Sequence, residues 1–500
     1  MADITWIDHL SHWKQFLSER LNAAKDQGER EQITRQIRAI IQTELAAVAN
    51  PSVLTDFIKP KNPAENSDEH NLLPFILDLN DSQKKAVANA LSNNELVLIQ
   101  GPPGTGKTQV IAEICLQLFR KNPGIRIMVC SETHVAVNNL ISRIQTIEQG
   151  IRIVRIRDKE QDEEIESVTP AAIVTDYLKW LDDNCSDNQV KEILNYQLSN
   201  ASDKSLEKAL ALSANIVGLT CSRVGAYSFS HRFEMFDVVI IDEVCKATLP
   251  EILLPLSVAK KAILVGDPKQ LPPVFCSEDI DLIRSIDRCS LLNHMHIDAL
   301  FLQAKGVTVL DTQYRMNNQI GNLISNLFYD GLLKNGRQTD CNNALIWVDY
   351  LPSQEWPVKT DEQSDMVIYN KDECNLVAKV LDRIDETCQK TMTVGIIAPY
   401  RKQVAIIRQN LPPYSHLRVE VNTVDGFQGK ECDVVVFSLT RTTGSYRFLA
   451  DSRRLNVALS RARNNIIIVG YAVYAIKHKL FKAIFDQSVK WNEKTALGEW

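Results

Sequence analysis

Residues 101–108 read Gly-Pro-Pro-Gly-Thr-Gly-Lys-Thr, and this stretch constrains the fold more than any other part of the chain. It follows the apolar run 96–99 and precedes a segment in which Ile111, Ile114 and Leu118 recur at helical spacing. The order predicts a buried strand, a glycine-rich turn and a helix N-terminus. Such a turn aims backbone N–H groups and the positive end of the helix dipole at an anion, so we predict a phosphate-binding loop.

An ordinary glycine turn is the alternative, and the flanking strand and helix patterns disfavour it. In a phosphate loop, Lys107 would reach the β- and γ-phosphates of a nucleotide and the Thr108 hydroxyl would hold Mg²⁺. The nucleotide-binding residues predicted here are Gly101, Pro102, Pro103, Gly104, Thr105, Gly106, Lys107 and Thr108.

Length and charge limit the class of protein. A chain of 500 residues is too long for one core, so two to four domains are expected. Lys and Arg number 56 against 62 Asp and Glu, which excludes a uniformly basic nucleic-acid binder but not a local basic groove. The cysteines form no C-x-x-C pair, no secretory signal is visible, and no apolar run could span a bilayer. We therefore expect a soluble, cytoplasmic protein with no membrane contact.

The apolar periodicity divides the chain into segments. Residues 1–58 are predicted to be a helical segment, in which 4–48 form a hairpin, and the Pro-rich polar stretch 59–71 is predicted to be a linker. The apolar stripe of the hairpin either docks on the chain's own core or binds a protein partner, and the pattern leaves both open.

Alternating strands and helices follow and predict an α/β fold with two parallel sheets. We place a first domain at 72–300 with a mostly helical insertion at 141–214, a connector at 301–345, and a second domain at 346–500. Predicted strands lie at 96–99, 125–130, 216–220, 238–241 and 262–265, and then at 393–397, 419–424, 433–439 and 465–469.

Asp242 and Glu243 directly follow the apolar run 238–241. A carboxylate at the end of a strand beside a phosphate loop can hold Mg²⁺, and the next one can polarise the attacking water. In isolation the pair could equally be a helix cap. The strand before it and the upstream phosphate loop favour the catalytic interpretation.

Three further side chains suit phosphoryl transfer. The amide of Gln270 can donate to a γ-phosphate and orient a water, although a plain proline-rich loop is the alternative there. Arg315 and Arg461 could meet the negative charge that develops during hydrolysis. The predicted catalytic set is Lys107, Asp242, Glu243, Gln270, Arg315 and Arg461.

Together these stretches resemble a superfamily 1 helicase of subgroup B, in the branch containing the RNA helicase of nonsense-mediated decay. The resemblance spans about Leu79 to Tyr471 and rests on eight ordered motifs, which are 80–83, 101–108, 242–243, 266–273, 313–316, 398–400, 424–431 and 455–463. It implies two RecA-like domains in tandem, with ATP and Mg²⁺ as cofactors and hydrolysis in the cleft between the domains.

The resemblance also implies individual contacts. Gln83 would read the adenine, Tyr314 would lie against the nucleotide and Glu431 would contact the ribose. Gly429, in the same motif as Glu431, is also predicted to bind ATP. Residues that would line a groove for single-stranded RNA or DNA are Thr133, His134, Thr220, Pro399 and Thr423. Short hydroxyls and backbone N–H groups suit phosphate binding without base readout, and the alternative for each residue is a cap or turn role.

The function implied is an ATP-dependent helicase or translocase on single-stranded nucleic acid, moving 5′ to 3′. The alternative is an ATP-dependent clamp or switch subunit of a larger assembly that does not unwind. One departure from the family pattern is Lys246, where glutamine is common. Its proximity to Glu243 in the sequence could alter the coupling of ATP and nucleic acid.

Overall fold

The computed structural model describes residues 6–59, 72–156, 163–200, 203–224, 236–286, 295–303, 306–339, 343–354, 368–427 and 429–492. Most of the predicted linker 59–71 lies outside these ranges. The described residues divide into two compact units. The first draws on Met1–Gly101, Lys107–Pro268 and Pro272–Leu310, and the second on Pro102–Gly106, Lys269–Leu271 and Asp311–Trp500.

The first unit begins with helices and continues as alternating strands and helices. Its elements are α1 (Trp6–Ala23), α2 (Gln27–Glu44), α3 (Pro51–Ile58), α4 (Asp81–Leu91), β1 (Leu96–Gln100), α5 (Lys107–Lys121), β2 (Ile127–Ser131), α6 (His134–Ile147), β3 (Ile153–Arg155), α7 (Pro170–Asn184), α8 (Asn188–Asn200), α9 (Asp203–Ser213), β4 (Ile216–Thr220), α10 (Cys221–Val224), β5 (Val238–Asp242), α11 (Leu249–Leu256), β6 (Ala262–Gly266), α12 (Ser277–Ile286), α13 (Met295–Gln303) and β7 (Val307–Val309).

The second unit also alternates strands with helices. Its elements are β8 (Thr312–Gln313), α14 (Asn318–Phe328), β9 (Lys334–Asn335), β10 (Leu345–Asp349), α15 (Lys371–Thr387), β11 (Met392–Ala398), α16 (Arg401–Asn410), β12 (Leu417–Thr423), β13 (Cys432–Ser438), α17 (Ser452–Leu459), β14 (Ala462–Val469), α18 (Ala472–Ala475), α19 (Lys479–Gln487) and β15 (Val489–Asn492).

The main sheet of the first unit has seven strands in the order β3-β4-β2-β5-β6-β1-β7. Its pairings are parallel, so the carboxyl ends of the strands share one edge. In register, Gln100 lies opposite Gly266, and Ser131 lies opposite both Asp242 and Thr220. The residues that follow these positions are therefore neighbours.

Both faces of this sheet are covered, which explains why its strands are continuous apolar runs. Along β5, Val239 and Ile241 enter one hydrophobic cluster while Val238 and Ile240 enter another on the opposite face. Helices α4, α5 and α6 supply side chains to the second cluster, and α1, α2 and α11 supply side chains to the first.

The predicted N-terminal hairpin is present as α1 and α2. Its apolar stripe contributes Trp13, Phe16, Leu17 and Ile33 to the core of the first unit, and each of these is at most 3% exposed. Docking on the chain's own core therefore accounts for the buried part of the stripe. Helices α7, α8 and α9 follow β3, in the region where a helical insertion was predicted.

The second unit contains a six-stranded sheet in the order β12-β11-β13-β14-β10-β15, again with parallel pairings. Two clusters of buried side chains cover its two faces. The predicted α/β fold with two parallel sheets is thus confirmed, and each predicted strand is present with its ends shifted by at most a few residues. Among the residues described above, no helix combines the length and apolar character that crossing a membrane requires.

Substitution of Trp347 tests how much the hydrophobic core of the second unit contributes to stability. Its ring is fully buried, and its Nε1–H donates to Gly470 O at 2.9 Å. We expect Trp347→Ala to lower the free energy of unfolding by about 3–5 kcal/mol, because it leaves a cavity and an unpaired carbonyl. The measurement is urea denaturation followed by circular dichroism. Trp180→Ala is the matched control, since that side chain is 56% exposed and should change stability by less than about 0.5 kcal/mol.

Candidate nucleotide-hydrolysis site

The predicted phosphate loop joins β1 to the start of α5. Gly104 and Gly106 have φ values of 74° and 78°, a backbone region that glycine enters without steric cost. The Lys107 ammonium donates to Gly101 O at 2.7 Å, so its stem runs back along the loop. A Cβ on Gly101 would lie 2.2 Å from Lys107 Cγ, which explains why glycine is required there.

Asp242 ends β5 and is 6% exposed. Burial and the adjacent Glu243 raise the pKa of the Asp242 carboxyl to about 6, while Lys107 acts in the opposite direction. One carboxylate oxygen accepts the Glu243 N–H at 2.8 Å. Asp242 is therefore a fixed acid close to the phosphate-loop lysine.

Glu243 has a strained backbone. Its φ of 52° and ψ of 35° place a non-glycine residue in the left-handed region, which costs on the order of 1–3 kcal/mol. Its Oε2 is buried and has no hydrogen-bond partner within the described ranges. Strain of this kind persists only where surrounding structure enforces it, and the carboxylate oxygen it presents can accept a hydrogen bond from a water or substrate.

The donor set fits Mg²⁺. Thr108 offers a hydroxyl in the first turn of α5 and Asp242 offers a carboxylate, and hard divalent cations prefer oxygen ligands of these types. A nearby divalent cation would also favour the ionised form of Asp242 and so oppose the effect of burial on its pKa. Thr108 and Asp242 are thus suited to hold the ion with a nucleotide.

The second unit holds the predicted arginines in place. Arg461 is 3% exposed, and its guanidinium donates to Val457 O at 2.9 Å and to Gln270 Oε1 at 3.3 Å. Two sequence-predicted residues, Gln270 and Arg461, are therefore brought together. The structure groups Lys269–Leu271 with this unit.

Arg315 is fixed by Glu431. Its Nε donates to Glu431 Oε2 at 2.6 Å and its Nη1 donates to Ser460 O at 3.1 Å. The other carboxylate oxygen of Glu431 accepts from Arg463. Burial alone would raise the pKa of Glu431, but the two arginines outweigh burial and hold it below the usual value.

Arg463 was not among the residues predicted from the sequence. Its position two residues after Arg461 was visible, but the ion pair with Glu431 depends on how β14 lies beside β13. Glu431 and Arg315, in contrast, were both predicted, and the structure places them in direct contact.

Two other predicted nucleotide contacts have local structural roles. Gln83 is 3% exposed, and its Oε1 accepts the Asn80 N–H at 3.0 Å in a capping box that starts α4. Tyr314 is 44% exposed, and its backbone N–H donates to Gly104 O at 2.9 Å. Gly429 has a φ of 81°, a conformation that requires glycine just before the strand β13.

The predicted nucleic-acid residues of the first unit lie at the carboxyl edge of its sheet. Thr133 caps α6 by accepting the Ala136 N–H at 3.4 Å, and Thr220 ends β4 with 5% exposure. The ring of His134 lies 3.0 Å from Nη2 of Arg155. Arg155 is fully buried and also bonds Asn138, so it fixes this histidine in a way the sequence did not reveal.

Pro399 and Thr423 occupy the equivalent edge of the second sheet. Pro399 directly follows β11, whose last residue Ala398 lies opposite Thr423 in register. The Thr423 Oγ1 accepts the Gly426 N–H at 3.4 Å, which is a turn role. Pro399 and Thr423 therefore lie close to the carboxyl ends of two neighbouring strands, as their positions in the sequence predicted.

A glycine-rich loop after the parallel strand β1, with paired acids at the end of β5 two strands away in the same sheet, defines a P-loop nucleoside triphosphatase. Family models described as "AAA domain" match residues 78–208 and 181–278 in one case and 289–473 in the other.

Two curated relatives come from Saccharomyces cerevisiae. "DNA polymerase alpha-associated DNA helicase A" is 30% identical over 468 residues, covering 82% of this chain and 68% of its own length. "ATP-dependent helicase NAM7" is 31% identical over 460 residues, covering 85% of this chain and 45% of its own. The chain thus spans less than half of the second relative. Among solved structures, the helicase nonstructural protein 10 of an Arterivirus matches with a TM-score of 0.38 and 15% identity, covering 80% of this chain and 63% of that one.

The chain belongs to the superfamily 1 helicases, a class of ATP-hydrolysing enzymes, in the branch that contains ATP-dependent helicase NAM7.

Glu243→Gln tests the site directly. The substitution keeps the side-chain shape but removes the base, so we expect hydrolysis to fall by about 10²- to 10⁴-fold while nucleotide binding is retained. Lys107→Ala should instead weaken nucleotide binding as well. Steady-state ATPase assays with Mg²⁺ and titration of a fluorescent ATP analogue separate the two effects. Glu278→Gln, which changes an exposed acid in α12, is the control, and equal loss in both glutamate variants would contradict the assignment.

Proposed function

We propose that this protein is an ATP-dependent motor that translocates 5′ to 3′ on single-stranded nucleic acid and unwinds duplexes. The observation that carries the proposal is the arrangement of Lys107, Asp242 and Glu243. Lys107 and Glu243 both act on the charge of Asp242 at the carboxyl edge of the first sheet. The strained Glu243 has a buried Oε2 with no hydrogen-bond partner among the residues that the structure describes.

In the proposed reaction, the phosphate loop and Lys107 bind the β- and γ-phosphates, and the Glu243 carboxylate orients the attacking water and accepts its proton. Mg²⁺, held by Thr108 and Asp242, would neutralise phosphate charge. Gln270 would help to position the water, and Gln83 and Tyr314 would contact the base.

We further propose that hydrolysis draws on both units. Arg315 and Arg461 carry permanent positive charge, and phosphoryl transfer gains most from cations at the developing negative charge. Their bonds to Glu431 and to backbone carbonyls set the direction of each guanidinium in advance. An arginine fixed in this way loses less freedom when it meets a phosphate.

Nucleic acid would bind along the two carboxyl edges that carry Thr133, His134, Thr220, Pro399 and Thr423. Hydroxyls, helix N-termini and backbone N–H groups recognise phosphates without reading bases. The first relative is named a DNA helicase and the second an ATP-dependent helicase, so we propose single strands in general as substrate. The alternative of a clamp without unwinding activity is not favoured by these names.

A protein partner of the N-terminal helices stays a prediction. The apolar stripe is buried on the first unit, while Ile41 and Leu45 at the end of α2 are 40% and 72% exposed.

The motor proposal predicts that single strands stimulate hydrolysis. We expect ATPase activity to rise on addition of single-stranded RNA or DNA, and a duplex with a 5′ overhang to be displaced when ATP is present. The measurement compares RNA and DNA of equal length at one fixed salt concentration, because phosphate contacts dominate affinity. Hydrolysis that no nucleic acid changes would refute the motor. ATP-dependent binding without displacement would support the clamp.

Arg461→Ala tests the contribution of the second unit. We expect the turnover number to fall by about 10³-fold or more, because the substitution removes a positive charge that stabilises the transition state. The affinity for a fluorescent ATP analogue should change little. Arg447→Ala, an exposed arginine of the same unit, is the control. Equal weakening of nucleotide binding and turnover would assign Arg461 to ground-state binding instead.

A further inference from the structure

Glu132 and Glu243 each follow the last residue of one of two neighbouring strands at the carboxyl edge of the first sheet. Ser131 ends β2 and lies opposite Asp242, which ends the neighbouring strand β5. Glu132 and Glu243 are the residues that follow these two positions. Glu132 precedes Thr133, the N-cap of α6, and Glu243 is the proposed catalytic base.

A cavity of about 260 Å³ adjoins this edge, on the side where α1 and α2 pack. Its lining includes Glu132, Lys246, Thr248 and Glu251, together with aromatic side chains such as Trp13. Glu132 and Lys246 therefore share one partly buried space. Lys246 closes the short turn Val244–Lys246 that follows Glu243.

Glu251 in this cavity is held by hydrogen bonds to two neighbouring residues. It is 8% exposed, and its Oε2 accepts from the Thr248 N–H at 2.8 Å and the Thr248 hydroxyl at 2.6 Å. Its Oε1 accepts from Gln36 of α2 at 3.4 Å. The helix cap and the N-terminal hairpin thus fix an acidic group beside Glu132.

Lys246 offsets this crowding of acids. Burial, followed by the charge of Glu251, raises the pKa of Glu132, and Glu243 adds to the effect. Lys246 acts in the opposite direction on the same carboxyl. A single ammonium group therefore stabilises negative charge at the residue next to Thr133 and belongs to the turn that carries Glu243.

We propose that Lys246 is a positioning residue that ties Glu132, at the start of the predicted nucleic-acid edge, to the turn carrying Glu243. A shift of the α6 N-terminus on binding a strand would then move the Glu132–Lys246 pair and with it the base. This inference rests on the proposed nucleic-acid-stimulated ATPase activity, and it adds the residues that transmit the stimulation.

The test measures the ratio of ATPase activity with and without a saturating single strand, poly(U) or poly(dT), at fixed salt. We expect Lys246→Gln and Glu132→Ala each to lower this ratio by about fivefold or more, the size of an ordinary coupling between two sites. Lys246→Arg keeps the charge and should restore most of the stimulation. The double variant should lose no more than either single variant, because both remove one interaction.

Lys260→Gln is the matched control, since it removes a lysine that pairs with Asp237 at 2.8 Å beside the opposite, amino ends of β5 and β6. It should keep the wild-type ratio. Thermal unfolding of each variant separates coupling from stability, because a purely structural role would lower the melting temperature without selectively lowering the ratio. The inference about Lys246 would be wrong if Lys246→Gln kept the wild-type stimulation, or if the losses in the double variant were additive. Either result would leave the proposed function standing. A wild-type protein that no strand stimulates would overturn the proposed function as well.

Discussion

The parallel register of the first sheet is the constraint on which the rest of the site depends. Because neighbouring strands run in the same direction, their carboxyl ends meet at one edge, where Gln100 lies opposite Gly266 and Ser131 lies opposite Asp242. Residues far apart in the sequence, such as Lys107 and Asp242, come close enough at this edge for the charge of one to act on the other. Helices on both faces keep the strands buried, so the polar chemistry is confined to the loops that follow them.

Because the strands share this edge, several acidic side chains lie close together there. Asp242 and Glu132 both have raised pKa values, first through burial and then through neighbouring carboxylates, and Lys107 and Lys246 respectively oppose the shift. Each acid thus has a lysine that favours its ionised form. Glu243, which follows Asp242 at this edge, has a left-handed backbone that costs a non-glycine residue on the order of 1–3 kcal/mol.

The features that could be predicted from the sequence are those that depend on residues close together in the chain. Continuous apolar runs located the predicted strands, and glycine spacing located the phosphate loop, because both depend on a few adjacent residues. The strand β10, Leu345–Asp349, was not predicted. The short strands β3 and β7 have three residues each and carry too little periodicity to be recognised. Contacts of Arg155 with His134 and of Arg463 with Glu431 depend on the pairing of distant segments, so no local pattern contains them. The hairpin pattern left two alternatives open, and only packing revealed that Trp13 and Phe16 enter the first core.

The network around Glu431 shows how the second unit can be rigid and still available to a ligand. Oε1 of Glu431 accepts two N–H groups of Arg463, whereas Oε2 accepts one N–H of Arg315, and a carboxylate oxygen has two lone pairs. A ribose hydroxyl could therefore donate to Glu431 without displacing either arginine. A guanidinium group has five N–H donors, and the contacts of Arg315 with Glu431 and Ser460 use two of them. The same ion pair that orients Arg315 thus leaves it donors for a phosphate, which is the property that a preorganised catalytic cation needs.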